Sequence, residues 1–422
     1  MKYAELKNKY PKFIYESYSY KISGKNLEIF FNFSVGNIKF KPKIIIENID
    51  IKSLKRIGDK VLNNLIFNIG LMELPSYWKA TCSPTIEVRA GYLDKKQIKW
   101  WKDLIIKGLG QFYYKNKIDW RSLNFLKIIS VNNKSSELYL KNLKNRYLVP
   151  FAGGRDSIVT LEGLKNKKSD ISLFTVNPIK KIQETVKVSG IKKQIIARRI
   201  IDKKLLDLNK KGYLNGHTPF TGILSFISVL CAVIFDYKNI AFSNEKSSNE
   251  GNVKYLGKMI NHQWAKSSEF EKMFKDYCNK YLAKNINYFS YIRGHGELEI
   301  SKKLSKYKKY FPVFSSCNAG MRMNAKGTLH AKERWCGNCP KCLFVYMTLY
   351  PFLTEKDLLK TFNKDIFENK ELLPVMNNLL GKNTIKPFEC VGTKKESKLA
   401  FNLCLKKATK TGKIPYLLTK SK

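Results

Sequence analysis

Tyr147-Leu-Val-Pro-Phe-Ala-Gly-Gly-Arg-Asp-Ser157 is the stretch on which the reading of the chain turns. The apolar run Leu148 to Phe151 breaks into Ala152-Gly153-Gly154, and Arg155-Asp156-Ser157 leads into Ile158, Leu161 and Leu164 at helical spacing. The pattern predicts strand, tight loop and helix. Adjacent glycines let the backbone take positive φ and approach a ligand closely. Asp156 or Ser157 can cap the helix, whose free N–H groups and dipole favour a phosphate. The loop is not of the Walker type, because no Gly-Lys-Ser/Thr closes it. An ordinary strand–helix turn is the bland alternative; Asp-Ser at this spacing favours a nucleotide site.

Strand and helix go on alternating. Ile171-Ser-Leu-Phe-Thr-Val-Asn177 and Gln194-Ile-Ile-Ala-Arg-Arg199 read as strands, with a helix opening after Pro178. A long apolar helix starts at Pro219, and Asn239-Ile-Ala-Phe-Ser-Asn244 is a fourth strand. This order predicts an α/β fold: a parallel sheet with helices on both faces and ligands at the carboxyl ends of its strands. The segments at those ends hold the candidates. In Asn215-Gly-His-Thr-Pro-Phe220, Thr218 suits an N-cap and Pro219 the first helical position. His217 then lies at a positive helix end that favours the neutral ring, fit to act as a base. A structural histidine is the plain alternative. Ser243 to Asn252, with Asn244 and Glu245, is a polar loop, and Asn261-His262-Gln-Trp follows it.

Residues 1–145 read as a separate mixed α+β region. Leu27 to Phe33 alternates as a strand. Ile38 to Glu47 gives another, and Pro42 within it suggests an edge or a bulge. Leu54 to Gly70 and Trp100 to Tyr114 have helical spacing, and Trp100-Trp101 reads as core rather than a binding box. Residues 146–353 form the nucleotide domain with its cysteine motif. Residues 354–422 form a helical, lysine-rich region ending in a basic tail, interrupted by Lys386-Pro-Phe-Glu-Cys-Val-Gly-Thr393, where Glu389 and Cys390 are candidates.

Trp335-Cys336-Gly-Asn-Cys339-Pro-Lys-Cys342 places three thiolates at metal-ligand spacing. A tetrahedral zinc wants a fourth ligand, with Cys317 the first choice and His330 the second. An iron–sulfur cluster is the other option. Such a closed zinc site is structural. The chain has 422 residues and nine cysteines in no secreted disulfide pattern, which points to a reducing, cytoplasmic setting. The N-terminus has no apolar signal core, and Ile223 to Phe235 is too short to span a bilayer. At 44% hydrophobic and 13% aromatic residues the chain is globular, not disordered. Its net charge of +44 would attract polyanions, but the lysines run through every segment. That is a compositional bias, so no dedicated nucleic-acid partner is expected.

Ala152-Gly-Gly-Arg-Asp-Ser resembles the loop of the PP-loop ATP pyrophosphatases. Together with Asn215-Gly-His-Thr-Pro-Phe, Phe242-Ser-Asn-Glu, Asn261-His-Gln, Ser316-Cys-Asn, the cysteine motif and Pro387-Phe-Glu-Cys-Val-Gly, the chain resembles the UDP-N-acetylmuramoyl-L-alanyl-L-glutamate epimerases (MurL) of bacterial cell-wall synthesis. Ala152 and Arg155 depart from the usual loop residues. The resemblance implies ATP with Mg²⁺, a structural Zn²⁺, and UDP-MurNAc-L-Ala-L-Glu as substrate. Its terminal L-Glu would become D-Glu through an acyl adenylate, with release of AMP and pyrophosphate. By the same resemblance, Ala152, Gly153, Gly154, Arg155, Asp156 and Ser157 hold the nucleotide, with Arg155 on a phosphate and Asp156 positioning Mg²⁺. His217, His262 and Glu245 are the proton-transfer candidates, with Cys317 a weaker one. Asn244, Asn261 and Glu389 are substrate contacts. The rival is a tRNA- or nucleobase-modifying PP-loop enzyme, whose fourth cysteine stands closer to the other three than Cys317 does. Oligomeric state is not set by the sequence.

Overall fold

The computed structural model describes residues 1–132, 136–319, 333–383 and 385–422. The strands are β1 (Lys12–Ser23), β2 (Asn26–Val35), β3 (Ile38–Phe40), β4 (Lys43–Ile46), β5 (Thr85–Val88), β6 (Lys127–Ser130), β7 (Tyr147–Pro150), β8 (Ile171–Val176), β9 (Gln194–Ile200), β10 (Asn239–Phe242), β11 (Val253–Tyr255), β12 (Lys258–Ile260) and β13 (Asn287–Ser290). All but the β11–β12 hairpin join one sheet in the order β13-β10-β7-β8-β9-β4-β2-β1-β5-β6, with β3 on β2. From β13 to β9 every pairing is parallel. Read along the chain, this is the order of a doubly wound nucleotide fold, reversing between β7 and β10, where such sheets bind ligands.

Alternation along each strand assigns its residues to two cores. Leu148, Ile240 and Phe242 face one; Val149 and Ala241 face the other. On the first face lie the helices Asp59–Trp78 and Phe220–Phe235, apolar almost all round and buried along most of their length. A helix without a polar face belongs inside, between the sheet and other helices. On the second face, the helices Arg155–Lys165, Glu297–Leu304 and Pro340–Leu349 pack together. Among the described residues no helix is long and apolar enough to cross a membrane.

The sheet runs without a break from the N-terminal residues into the parallel strands, because β4 pairs antiparallel with β9. The Arg199 guanidinium of β9 also grips Glu73 in the helix Asp59–Trp78, at 2.5 and 2.8 Å. This changes the reading of Pro42. It ends β3 and separates it from β4, yet β4 is an interior strand between β2 and β9. The proline sits in the connection, where its missing N–H interrupts no ladder, and its carbonyl accepts from Phe31 N–H at 3.1 Å. Trp101 is core as expected, stacked on Phe226 with its Nε1 donating to Tyr277.

The C-terminal stretch is corrected too. Lys394–Lys410 is no tail: Thr393 and Glu396 close a capping box, and Ala400, Phe401, Cys404 and Ala408 are buried in the second core. Its lysines lie on the outer faces and hid an apolar stripe from a reading by composition.

Candidate active site

At the carboxyl end of β7 the chain makes the tight loop. Gly153 has φ +71°, and a Cβ there would stand 3.0 Å from Thr185 Oγ1, so both conformation and space call for glycine. The helix Arg155–Lys165 begins at Gly154 without a side-chain cap. Neither expected cap forms. Ser157 Oγ donates back to Gly154 O at 2.9 Å, and the Asp156 carboxylate turns to Arg155 at 2.8 Å. A neighbouring segment braces the loop instead: Ser315 N–H donates to Gly153 O at 3.2 Å, and Arg155 N–H donates to Ser316 Oγ at 3.1 Å.

Arg155 is corrected as a phosphate contact. Its side chain is fully buried and points into the second core, where it pairs with Glu297 and Asp156 and donates to Ser301 and Thr348 hydroxyls. A guanidinium whose N–H groups are taken up by protein oxygens has none to turn toward a ligand. Its effect is on Asp156. Burial alone would raise that carboxyl, but Arg155, Lys341 and Lys266 outweigh it and hold the pKa below the ordinary value.

Two cavities meet beyond the loop. One, of about 230 Å³, is lined by Ala152, Gly154, Asp156, Ser157, Phe174, Asn244 and others. The second, of about 430 Å³, is lined by His217, His262, Gln263, Asn318 and Cys390 among others. Phe220, Thr221 and Lys266 belong to both walls. His217 and His262 come from separate segments, yet their rings lie 4.3 Å apart. His262 Nδ1 is 2.5 Å from Gln111 Oε1, which fits an Nδ1–H donor. The loop before the apolar helix is held from below by Lys79, which donates to Gly216 O and Thr218 Oγ1. Thr218 is therefore not a helix cap, and the helix starts one residue later than expected, at Phe220.

Lys266, missed in the sequence, is the centre of this region. Burial works against its charge, but the Cys390 sulfur that it hydrogen-bonds, with Glu245 and Asp156, outweighs burial and keeps its pKa above the ordinary lysine value. Arg293 fixes its backbone, donating to Lys266 O at 2.7 Å and to Glu245 O at 3.0 Å while pairing with Glu271. Glu245 is enclosed, and both its carboxylate oxygens lack a hydrogen-bond partner among the described residues. Burial raises its pKa. It lines neither cavity, so it bears on Lys266 rather than on a bound molecule. Asn261 is likewise corrected: its side chain donates to Ser248 O and accepts from Gln263 N–H, each at 2.8 Å, which folds its own turn. In the segment Lys386 to Val391 the cavity residue is Cys390, not Glu389. Asn244 does line the loop cavity.

The four sulfurs of Cys317, Cys336, Cys339 and Cys342 lie within 4.8 Å of one another. Cys336 and Cys342 are 3.7 Å apart, against about 3.8 Å for a tetrahedron with 2.3 Å metal–sulfur bonds. Backbone N–H groups of Cys336 and Cys342 donate to the Cys317 and Cys339 sulfurs, as thiolate ligands require. The set fits a metal ion with no open position. His330, the other proposed ligand, lies outside the described residues. The knot also serves the cavities: Ser316 and Asn318 flank Cys317, and Lys341, inside the motif, donates to Cys390 O.

A doubly wound sheet with a glycine loop at its reversal point and a cavity there defines a nucleotide-type α/β protein. Residues 4–291 match the model of the MurL N-terminal domain and residues 313–417 that of the MurL C-terminal domain. The chain belongs to the MurL family. Relatives named UDP-N-acetyl-alpha-D-muramoyl-L-alanyl-L-glutamate epimerase include one from Salinispora tropica, 34% identical over 78% of this chain and 70% of its own length. Others are from Micromonospora sp. (35%, covering 70% and 65%) and Xanthomonas oryzae pv. oryzae (30%, covering 79% and 72%). A solved structure described as a predicted subunit of tRNA methyltransferase from Methanocaldococcus jannaschii is 19% identical with a TM-score of 0.25, over 37% of this chain and 72% of that one. At that score it carries no argument.

Arg155→Ala strands the buried Glu297 carboxylate and is expected to lower stability by about 3–5 kcal/mol in denaturant unfolding. An unchanged unfolding midpoint, with only ATP affinity reduced, would restore the phosphate role. Elemental analysis is expected to find one metal ion per chain, and Cys336→Ser to lose it; a full metal content in that variant would contradict the ligand set.

Proposed function

We propose that the chain is an ATP-dependent epimerase converting the terminal L-Glu of UDP-MurNAc-L-Ala-L-Glu to D-Glu, with AMP and pyrophosphate as by-products. The observation that carries this reading is the shared wall: Lys266 stands between the glycine-loop cavity and the cavity of the two histidines. A carboxylate bound there touches both. The names of the relatives support the epimerase and its substrate. A cytoplasmic setting, with ATP at hand, suits it.

The chemistry asks for these parts. A free α-carboxylate keeps its Cα–H too weakly acidic, because deprotonation would put two negative charges side by side. The loop would hold ATP through the N–H groups around Gly153 and Gly154 while Lys266 draws in the carboxylate. Attack on the α-phosphorus forms the acyl adenylate, expels pyrophosphate and removes the carboxylate charge. Cα then lies in the histidine cavity, where one group takes its proton and another returns one to the opposite face. Hydrolysis releases AMP and the D-Glu product.

Asp156, ionised and beside the loop, suits a Mg²⁺ that would offset phosphate charge. The cysteine set suits a structural Zn²⁺. His217 and His262 remain the imidazole candidates for proton transfer.

Incubation with ATP and UDP-MurNAc-L-Ala-L-Glu is expected to yield AMP, pyrophosphate and D-Glu. AMP with tRNA but none with the muramoyl dipeptide would favour the nucleic-acid-modifying rival. In D₂O, His217→Ala or His262→Ala is expected to abolish formation of Cα-deuterated D-Glu from the L-Glu substrate while ATP binding survives. Undiminished inversion in both would remove the histidines from the mechanism.

A further inference from the structure

Inversion needs two proton-transfer groups on opposite faces of Cα, and the histidines come as one adjoining pair. The cavity holds a third candidate from a different part of the chain. We propose that Cys390 is one of the two proton-transfer groups, set with Lys266 on the wall of the histidine cavity. The proposal rests on the epimerase reading above.

The nine cysteines divide by surroundings. Four form the metal set. Cys82, Cys231, Cys278 and Cys404 are buried, and burial pushes their thiols up. Cys390 alone remains. It lines the cavity with His217, His262 and Lys266, and it bears on the Lys266 charge. A neighbouring ammonium is what turns a thiol into a reactive thiolate. Lys341 reaches its carbonyl, and Glu245 and Asp156 bear on Lys266.

Its segment is firmly held. Asn252 Nδ2 donates to Pro387 O at 2.8 Å, Lys386 Nζ lies 3.3 Å from Glu250, and Gln263 Nε2 donates to Val391 O at 3.4 Å. The sulfur is thus positioned from both sides along the chain. Gln263 itself lines the cavity.

In the step, the thiolate takes the Cα proton and becomes a thiol, and the C–H electron pair passes into the enolate of the acyl adenylate. A protonated imidazole of His217 or His262 gives its proton to the other face of Cα, forming the new C–H bond. Each group regains its starting state by exchanging one proton with solvent. The reverse direction uses the same groups with roles exchanged.

The test uses Cys390→Ser with the L-Glu and the D-Glu dipeptide substrates, each with ATP in D₂O. Inversion is expected to fall at least about 100-fold while AMP release is kept. Cα exchange should persist from one epimer only, the one whose proton faces the imidazole. Inversion kept within about threefold, or AMP release and both exchanges falling together, would overturn the assignment. Wild-type protein giving neither AMP nor D-Glu would instead remove the epimerase reading, and this proposal with it. Iodoacetamide provides a readout independent of substitution at Cys390: it should label Cys390 ahead of the buried cysteines, and about tenfold more slowly in Lys266→Met. Labelling at an unchanged rate in that variant would also overturn it.

Discussion

A single buried cation, the Arg155 guanidinium, organises the second face of the sheet. Removing a charge from water costs several kcal/mol unless oxygen atoms replace the water, and here Asp156, Glu297, Ser301 and Thr348 do so. Those partners come from the loop helix, from Glu297–Leu304 and from Pro340–Leu349. Glu297 passes the constraint on: its second oxygen accepts from Ser247, and its N–H donates to Glu396 on the C-terminal helix. The direction of the Asp156 carboxylate therefore depends on contacts spread over more than half of the chain.

The cysteine knot works in the same way and toward the same place. Cys317 holds the strip in which Ser316 braces the loop and Asn318 reaches the histidine cavity, while Lys341 secures the Cys390 carbonyl. The cysteine cluster, the loop geometry and the position of one thiol are mechanically joined. A metal bound by the cluster would thus brace the walls of both cavities.

Local signals were legible in the sequence and pairings were not. The strand–glycine–helix pattern around Gly153 and the alternation that followed gave the parallel core, and the cysteine spacing gave three of the four clustered sulfurs. Arg155 was misread because a cation in a glycine loop at a helix start looks like an anion contact. Only the fold shows Glu297, distant in sequence, claiming it. Asn261 looked like a ligand contact because side-chain amides that fold turns and those that bind substrates share one composition. Lys266 lay just beyond a quoted motif, in a chain whose many lysines conceal any single one. The basic C-terminus hid its buried stripe for the same reason.

In the proposed reaction the glycine loop and the histidine cavity act on one carboxylate, joined at Lys266. Oxygen labelling addresses it directly. Substrate carrying ¹⁸O in the terminal α-carboxylate is turned over with ATP, and the AMP is analysed by mass spectrometry. Attack by that carboxylate on the α-phosphorus, followed by hydrolysis at the acyl carbon, leaves one ¹⁸O on AMP in step with D-Glu formation. D-Glu formed with unlabelled AMP, or without AMP, would contradict the account.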